Sequence, residues 1–275
     1  MDNVLWCCFY ERTKCPVIYI KNWTIVFPFC KLKPMKTTEY VSFKIDRLPR
    51  GYVFTHEDFN GGVNKREAII KALNRMASSG KIVKLSKGKY YKPEVTPFGE
   101  LQPPQKQIVK DLLEDNGKVT GYLTGYSVFN ELGLTTQVSN TIQIGRNWVG
   151  PEITRGKYTI RFVRQKNTIT VESVPLLQLL DVLRFIKKVP DTTPAQSVKR
   201  LQKLISNLSK DDLRTMVRLA QKYPPSTRAL LGAILDDSGI TEYAQSLRAS
   251  LNPITTYKIP DVSKVLPSAN SWNIL

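Results

Sequence analysis

Few side chains in this sequence are of the kinds that make or break bonds. The only histidine is His56, and the four cysteines, Cys7, Cys8, Cys15 and Cys30, all fall within the first thirty residues. Outside that stretch a Ser-His-Asp or Cys-His set would have to run through His56. That residue follows Thr55, a good helix cap, so a surface or packing role is expected for it. There is no C-x-x-C pair with a histidine nearby, so no zinc site is expected. From Lys31 onward no cysteine exists to build a disulfide framework. Glu172 and Asp181 are the best pair for a metal-dependent nuclease, but no carboxylate-x-lysine arrangement follows a strand there. Gly150-x5-Gly156-Lys157-Tyr158 has one residue too many between its glycines for a phosphate loop and lacks Ser or Thr after the lysine. Asp211-Asp212 and Asp236-Asp237 sit where helix ends explain them. No catalytic residue, cofactor or metal is expected, and the chain reads as a non-enzyme.

Organised cations are abundant instead. Forty-one Lys/Arg face twenty-three Asp/Glu, a formal net charge of +18. Such an excess repels itself, and a polyanionic partner is the simplest reason to keep it: nucleic acid first, an anionic membrane surface second. No apolar run reaches the roughly 18 residues of a membrane span. Val17 to Cys30 comes nearest, and Lys21 and Asn22 interrupt it. It also lacks the order of a secretory signal. A cytoplasmic protein without a membrane partner is expected.

The cations are concentrated on a recognisable set of elements. Over residues 36–92 there are thirteen Lys/Arg and five Asp/Glu, a difference of +8 in 57 residues. Thr37 to Leu48 has apolar residues at near-helical spacing and is closed by Pro49. Thr55 with Asp58 starts a short helix, and Asn60-Gly61-Gly62 is a turn. Asn64-x-x-Glu67 has the layout of a capping box for a helix that buries Ile69, Ala72, Leu73 and Met76 and stops at Gly80. Ile82 to Leu85 and Tyr90-Tyr91 flank a basic tip, a β-hairpin. Helix, short helix, turn, helix, basic hairpin is the order of a winged helix, so residues 35–95 are expected to bind duplex DNA. In such modules the later helix enters the major groove by its N-terminal part. Beside Asn64 at its start, Lys65, Arg66 and Asn74 are the expected base readers, since Arg and Lys pair with guanine and Asn with adenine. Lys71, Arg75, Lys87 and Lys89 are the expected phosphate contacts.

The rest divides by composition. Residues 1–34 lack periodicity, and regular patterning begins at Met35. They are read as an over-extended start or, alternatively, as a small extension packed on the core. Residues 96–104 read as a Pro-containing linker. Residues 105–251 read as a mixed, largely helical domain with a small sheet: helices at 105–114 and 127–132, strands at 141–144, 158–163 and 168–171, then helices from Pro175 to about Ser250. Residues 252–275 read as an extended or irregular tail. The overall class is α+β. Lys199, Lys203, Lys210, Arg214 and Arg218 recur near helical spacing on two successive helices. They form either a solvated face or a second surface for a polyanion, DNA or RNA.

Residues about 35–250 resemble the AbiEi-like antitoxins of bacterial type IV toxin–antitoxin systems. The resemblance is carried by Leu48-Pro49-Arg50-Gly51-Tyr52-Val53-Phe54, by the basic helix at 64–80, and by the hairpin from Lys84 to Pro93. It continues in Thr120-Gly121-Tyr122-Leu123-Thr124-Gly125-Tyr126-Ser127 and in Tyr223-Pro224-Pro225 with Arg228 to Ala233. It implies a winged helix that represses its own promoter, with the operator DNA as ligand. It also implies a second domain that counteracts a nucleotidyltransferase-type toxin, without requiring a stable complex. A plain winged-helix regulator with no toxin partner is the alternative, and a DNA-binding nuclease a more distant one.

Overall fold

The computed structural model describes residues 35–59 and 66–275. The expectations for residues 1–34, for the Asn60-Gly61-Gly62 turn, and for Asn64 and Lys65 lie outside the described residues. Residues Thr37–Leu275 form one compact α+β unit.

The first module has the expected order. α1 (Thr37–Arg47) buries Val41 and Ile45. β1 (Val53–Phe54) leads into a 3-10 helix, His56–Phe59. Thr55 caps that turn as expected: its N–H donates to Asp58 Oδ2 at 2.7 Å, and Glu57 N–H donates to Thr55 Oγ1 at 3.2 Å. α2 (Arg66–Ser78) buries Ile69, Ala72, Leu73 and Met76, the whole of the expected stripe. It ends in a Schellman motif, with Gly80 at φ +77°, Lys81 N–H on Met76 O and Gly80 N–H on Ala77 O. β2 (Val83–Ser86) and β3 (Lys89–Tyr91) turn at Lys87-Gly88, where Gly88 takes φ +74°. The strands order β1-β3-β2, the topology of a winged helix. Phe54, Phe59 and Tyr90 join the helices' apolar stripes in one cluster, with the Phe54 and Phe59 rings edge-on at 5.6 Å. Each such side chain, once buried, contributes about 1.5–3 kcal/mol.

The expected linker is not a linker. β4 (Glu94–Thr96) and β5 (Gly99–Leu101) form a hairpin across Pro97-Phe98, where Gly99 adopts φ +112°. Nor is the helix at 105–114 continuous. It breaks at Val109 into α3 (Gln105–Ile108) and α4 (Lys110–Leu113), then passes into β6 (Glu114–Asp115). Asn116-Gly117 is the turn between β6 and β7 (Lys118–Val119). Both residues have positive φ, as a two-residue type I′ turn requires.

The second module is built on a four-stranded sheet, β10-β11-β9-β8. β8 (Gly121–Thr124) is followed by α5 (Tyr126–Glu131) and β9 (Thr141–Arg146). β10 (Ile153–Arg155) and β11 (Tyr158–Arg164) make a hairpin, and β11 runs parallel to β9 with Ile160 opposite Ile142. Residues 168–171 are not a strand. Thr170 and Ser173 exchange side chain-to-backbone hydrogen bonds of 2.9 and 3.2 Å. That local pairing competes with sheet formation and opens the next helix. Five helices follow: α6 (Val174–Arg184), α7 (Pro194–Ser206), α8 (Lys210–Ala220), α9 (Pro225–Asp237) and α10 (Thr241–Ala249).

The tail expected to be extended is folded into the core. Tyr257, Ile259, Val262, Leu266, Ala269, Trp272 and Ile274 are buried, two segments form 3-10 turns, and Tyr257 bridges Ile274. Trp272 lies so close to α9 that a Cβ on Gly232 would come within 2.2 Å of its ring. Its indole N–H donates to Asp236 Oδ2 at 2.7 Å, and Ser268 N–H donates to Asp237 Oδ1 at 3.1 Å. The Asp236-Asp237 pair thus ties the tail down. Asp211 and Asp212 lie in the first turn of α8, where Ser209 accepts from Asp212 N–H.

Candidate nucleic-acid interface

The burial of one face of α2 decides what its other face presents. With Ile69, Ala72, Leu73 and Met76 turned inward, Arg66, Lys71, Asn74 and Arg75 are exposed. Lys84 and Lys87 are exposed on the hairpin. Arg66, Lys71, Arg75, Lys84 and Lys87 form no ion pair among the described residues. Asn74 is exposed but not free: Tyr90 Oη donates to its Oδ1 at 2.7 Å, which ties α2 to the hairpin.

Other cations of this module are structural. Lys81 pairs with Asp46 at 2.9 Å and also donates to Ser42 Oγ, joining the end of α2 to α1. Lys92 Nζ donates to the carbonyls of Asp46 and Leu48 at 2.8 and 3.3 Å, satisfying the C-terminal end of α1. The expectation that Lys89 meets phosphate is corrected. Lys89 is half-buried and pairs with Asp111, which also receives two hydrogen bonds from Arg155 at 2.6 and 2.8 Å. Burial pulls the Lys89 ammonium below the usual lysine range, against the opposing pull of Asp111. Burial pushes the Asp111 carboxyl up, but its bonds to Arg155 and Lys89 outweigh that and hold it below the usual carboxylate range. Alternation along β3 was the missed signal: with Tyr90 turned toward the first module's core, Lys89 and Tyr91 turn the other way.

That other side is the second module. Leu85 and Tyr91 belong to the same buried cluster as Ile108, Val109 and Ile160. Lys110 Nζ lies 5.2 Å from the centre of the Tyr52 ring and donates to its hydroxyl at 3.3 Å. The hairpin is therefore fixed on both faces, and the boundary at 95/96 does not separate two independent cores.

The second basic face is only partly assembled. Lys199, Lys203, Lys210, Arg214 and Arg218 are all exposed. α7 packs against α9 and the 3-10 turns at Val262–Lys264 and Ile186–Lys188, whereas α8 packs against α6 and α10. Arg214 pairs with Asp211 at 3.2 Å. Arg218 lines a recess with Asn167, Ser173 and Lys222. The suggested nuclease pair is not brought together. Glu172 is exposed on a turn, whereas Asp181 is fully buried and accepts hydrogen bonds from Tyr122, Thr124 and Tyr223 at 2.7, 2.7 and 2.9 Å. Gly156, from the rejected phosphate loop, turns the β10–β11 hairpin with φ +56°. Among the described residues no group of three or more His, Cys, Asp or Glu is placed to hold a metal ion. No helix among them is long and apolar enough to cross a membrane.

Fold and surface together define an α+β protein with a winged helix whose helix cations form no ion pair among the described residues. The chain belongs to the DUF6088 family, a family of unknown function, whose model matches residues 40–213. Its fold is similar to that of the RV2827C protein from Mycobacterium tuberculosis, seen in a crystal structure. The TM-score is 0.51 at 18% sequence identity, over 80% of this chain and 83% of that one. No curated protein matches the chain.

Proposed function

We propose that this protein is a DNA-binding regulator that reads a duplex through α2 and the tip of the β2–β3 hairpin. One observation carries the proposal. Within the winged module, Lys81, Lys89 and Lys92 are consumed by internal contacts, while Arg66, Lys71, Arg75, Lys84 and Lys87 stay exposed and without ion pairs among the described residues of the helix and the hairpin. Holding unpaired like charges together is unfavourable until a polyanion neutralises them. Arg66, early in α2, is the base reader, and Lys71, Arg75 and Lys87 contact phosphates. The resemblance to AbiEi-like antitoxins extends this role. The protein would act in the cytoplasm, repress the promoter of its own operon and counteract a nucleotidyltransferase-type toxin. A plain regulator without a toxin partner shares the same DNA contacts.

The test is a binding titration of the full chain against operator and unrelated duplexes across salt concentrations. Lys87→Ala should weaken both and lower the log–log salt slope by about one. Arg66→Ala should cost about 1–3 kcal/mol on the operator alone. A wild-type affinity that does not change with salt refutes the proposal. Growth with the neighbouring toxin induced separates the antitoxin from the plain regulator.

A further inference from the structure

The second module contains a buried polar network with a cationic rim. Tyr122, Thr124 and Tyr223 donate to Asp181, and Gln165 Nε2 donates to both tyrosine hydroxyls at 2.7 and 2.8 Å. Gln165 Oε1 accepts from Asn167, whose amide also donates to Leu219 O at 3.0 Å. Asn147 donates to the carbonyls of Gln165 and Asn167 at 2.8 and 2.7 Å. The end of β11, the loop after it, α6 and the end of α8 are thereby held together. Such a network is costly to bury unless every member is satisfied, and a satisfied one rigidifies its surroundings.

What it rigidifies is a set of cations. Arg164 ends β11 and Lys166 follows Gln165 in the loop after it, Lys222 precedes Tyr223, and Arg184 follows Asp181 by about one helical turn. Each is exposed and none is ion-paired among the described residues. All four line a single recess of about 300 Å³, which has Gln165 and Tyr223 at its base and Pro224-Pro225 as an apolar wall. Among the described residues no acidic one lines it. Asp181 lies beneath, fully buried, with both oxygens occupied.

We propose that this recess binds the polyphosphate chain of a small ligand, either free or as part of a nucleotide. Four cations around one concavity suit successive phosphates, and their positions are fixed by the network rather than by flexible loops. The recess falls at the small end of the range for small-molecule sites. Concavity favours a compact ligand over a duplex backbone, which is better met by protruding side chains such as Lys87. The proposal does not rest on DNA binding by the first module.

The test is calorimetric titration of the full chain with sodium tripolyphosphate, ATP and orthophosphate. Two variants accompany it: Arg164→Gln with Lys222→Gln, and, as a charge-matched control, Lys106→Gln with Lys118→Gln, exposed residues that line no part of the recess. Tripolyphosphate and ATP should bind saturably and more tightly than orthophosphate. The first variant should weaken both by roughly tenfold or more with an unchanged melting temperature, and the control should not. Equal affinity for tripolyphosphate and ATP identifies the phosphate chain alone as the determinant. Tighter ATP binding adds a nucleoside contact at the Pro224-Pro225 wall. Absence of saturable binding overturns the proposal, as does equal weakening in the control. Displacement of tripolyphosphate by a duplex oligonucleotide, with matching loss of duplex affinity in the first variant, reassigns the recess to nucleic acid.

Discussion

Replacing Asp111 by Asn tests whether the wing is latched by charge. The carboxylate receives two hydrogen bonds from Arg155 and pairs with Lys89. The Arg155 side chain is only 9% exposed, while that of Asp111 is 46% exposed. Breaking a fully buried pair costs about 3–5 kcal/mol, because a charge is stranded. Water reaches Asp111, and the amide still accepts one hydrogen bond, so the cost is discounted to about 2 kcal/mol. For a unit of this size that lowers the melting temperature by about 4–8 °C. The sign with pH follows from the Asp111 carboxyl being held below its usual range by Arg155 and Lys89, against burial. A depressed folded value contributes stability above the unfolded pKa, about 3.9, and that contribution is lost as pH falls through the folded value. The gap between wild type and Asp111→Asn should therefore be steady at neutral pH and close in acid below about pH 4. Scanning calorimetry over a pH series measures both. A variant that melts with the wild type at neutral pH, or a gap that persists in strong acid, refutes the latch.

Three further substitutions have expected outcomes. Gly232→Ala should destabilise by about 1–3 kcal/mol in denaturant unfolding, since its Cβ meets the Trp272 ring. Trp272→Ala should cost about 3–5 kcal/mol, and the two changes should be non-additive. Burial raises the Asp181 carboxyl above its usual range, against the pull of its hydroxyl donors. A raised acid binds more protons when folded, so wild-type stability should fall as pH rises from about 3.9 toward the folded value. Asp181→Asn should lack that fall when melting temperatures are compared across pH.

The amphipathic elements were readable in the sequence. The stripe of α2 and the Thr55 cap are local patterns, and both are found where residue spacing puts them. Short strands were not readable. Gly121 to Thr124 is buried on both faces and shows no alternation, and β10 has three residues. Thr168 to Val171 alternates like a strand, yet Thr170 and Ser173 find each other first. At the wing, counting charges located the basic surface but could not sort it. Lys87 and Lys89 look equivalent as letters. Only the face that β3 turns to Asp111, distant in sequence, separates a free cation from a latched one. The rim of the recess was invisible for the same reason, because its four cations come from three separate stretches of chain.

The wing's inner face bears on how portable the winged module is. Leu85 and Tyr91 lie in the second module's core, and Lys89 sits against Asp111. A cassette cut near residue 95 would turn two apolar side chains to water and leave a half-buried ammonium without its acid. Grafting this module onto another body means carrying along the segment from Gln105 through β11. The smallest transferable unit is set by the shared wall and not by the element order that first suggested a separate domain.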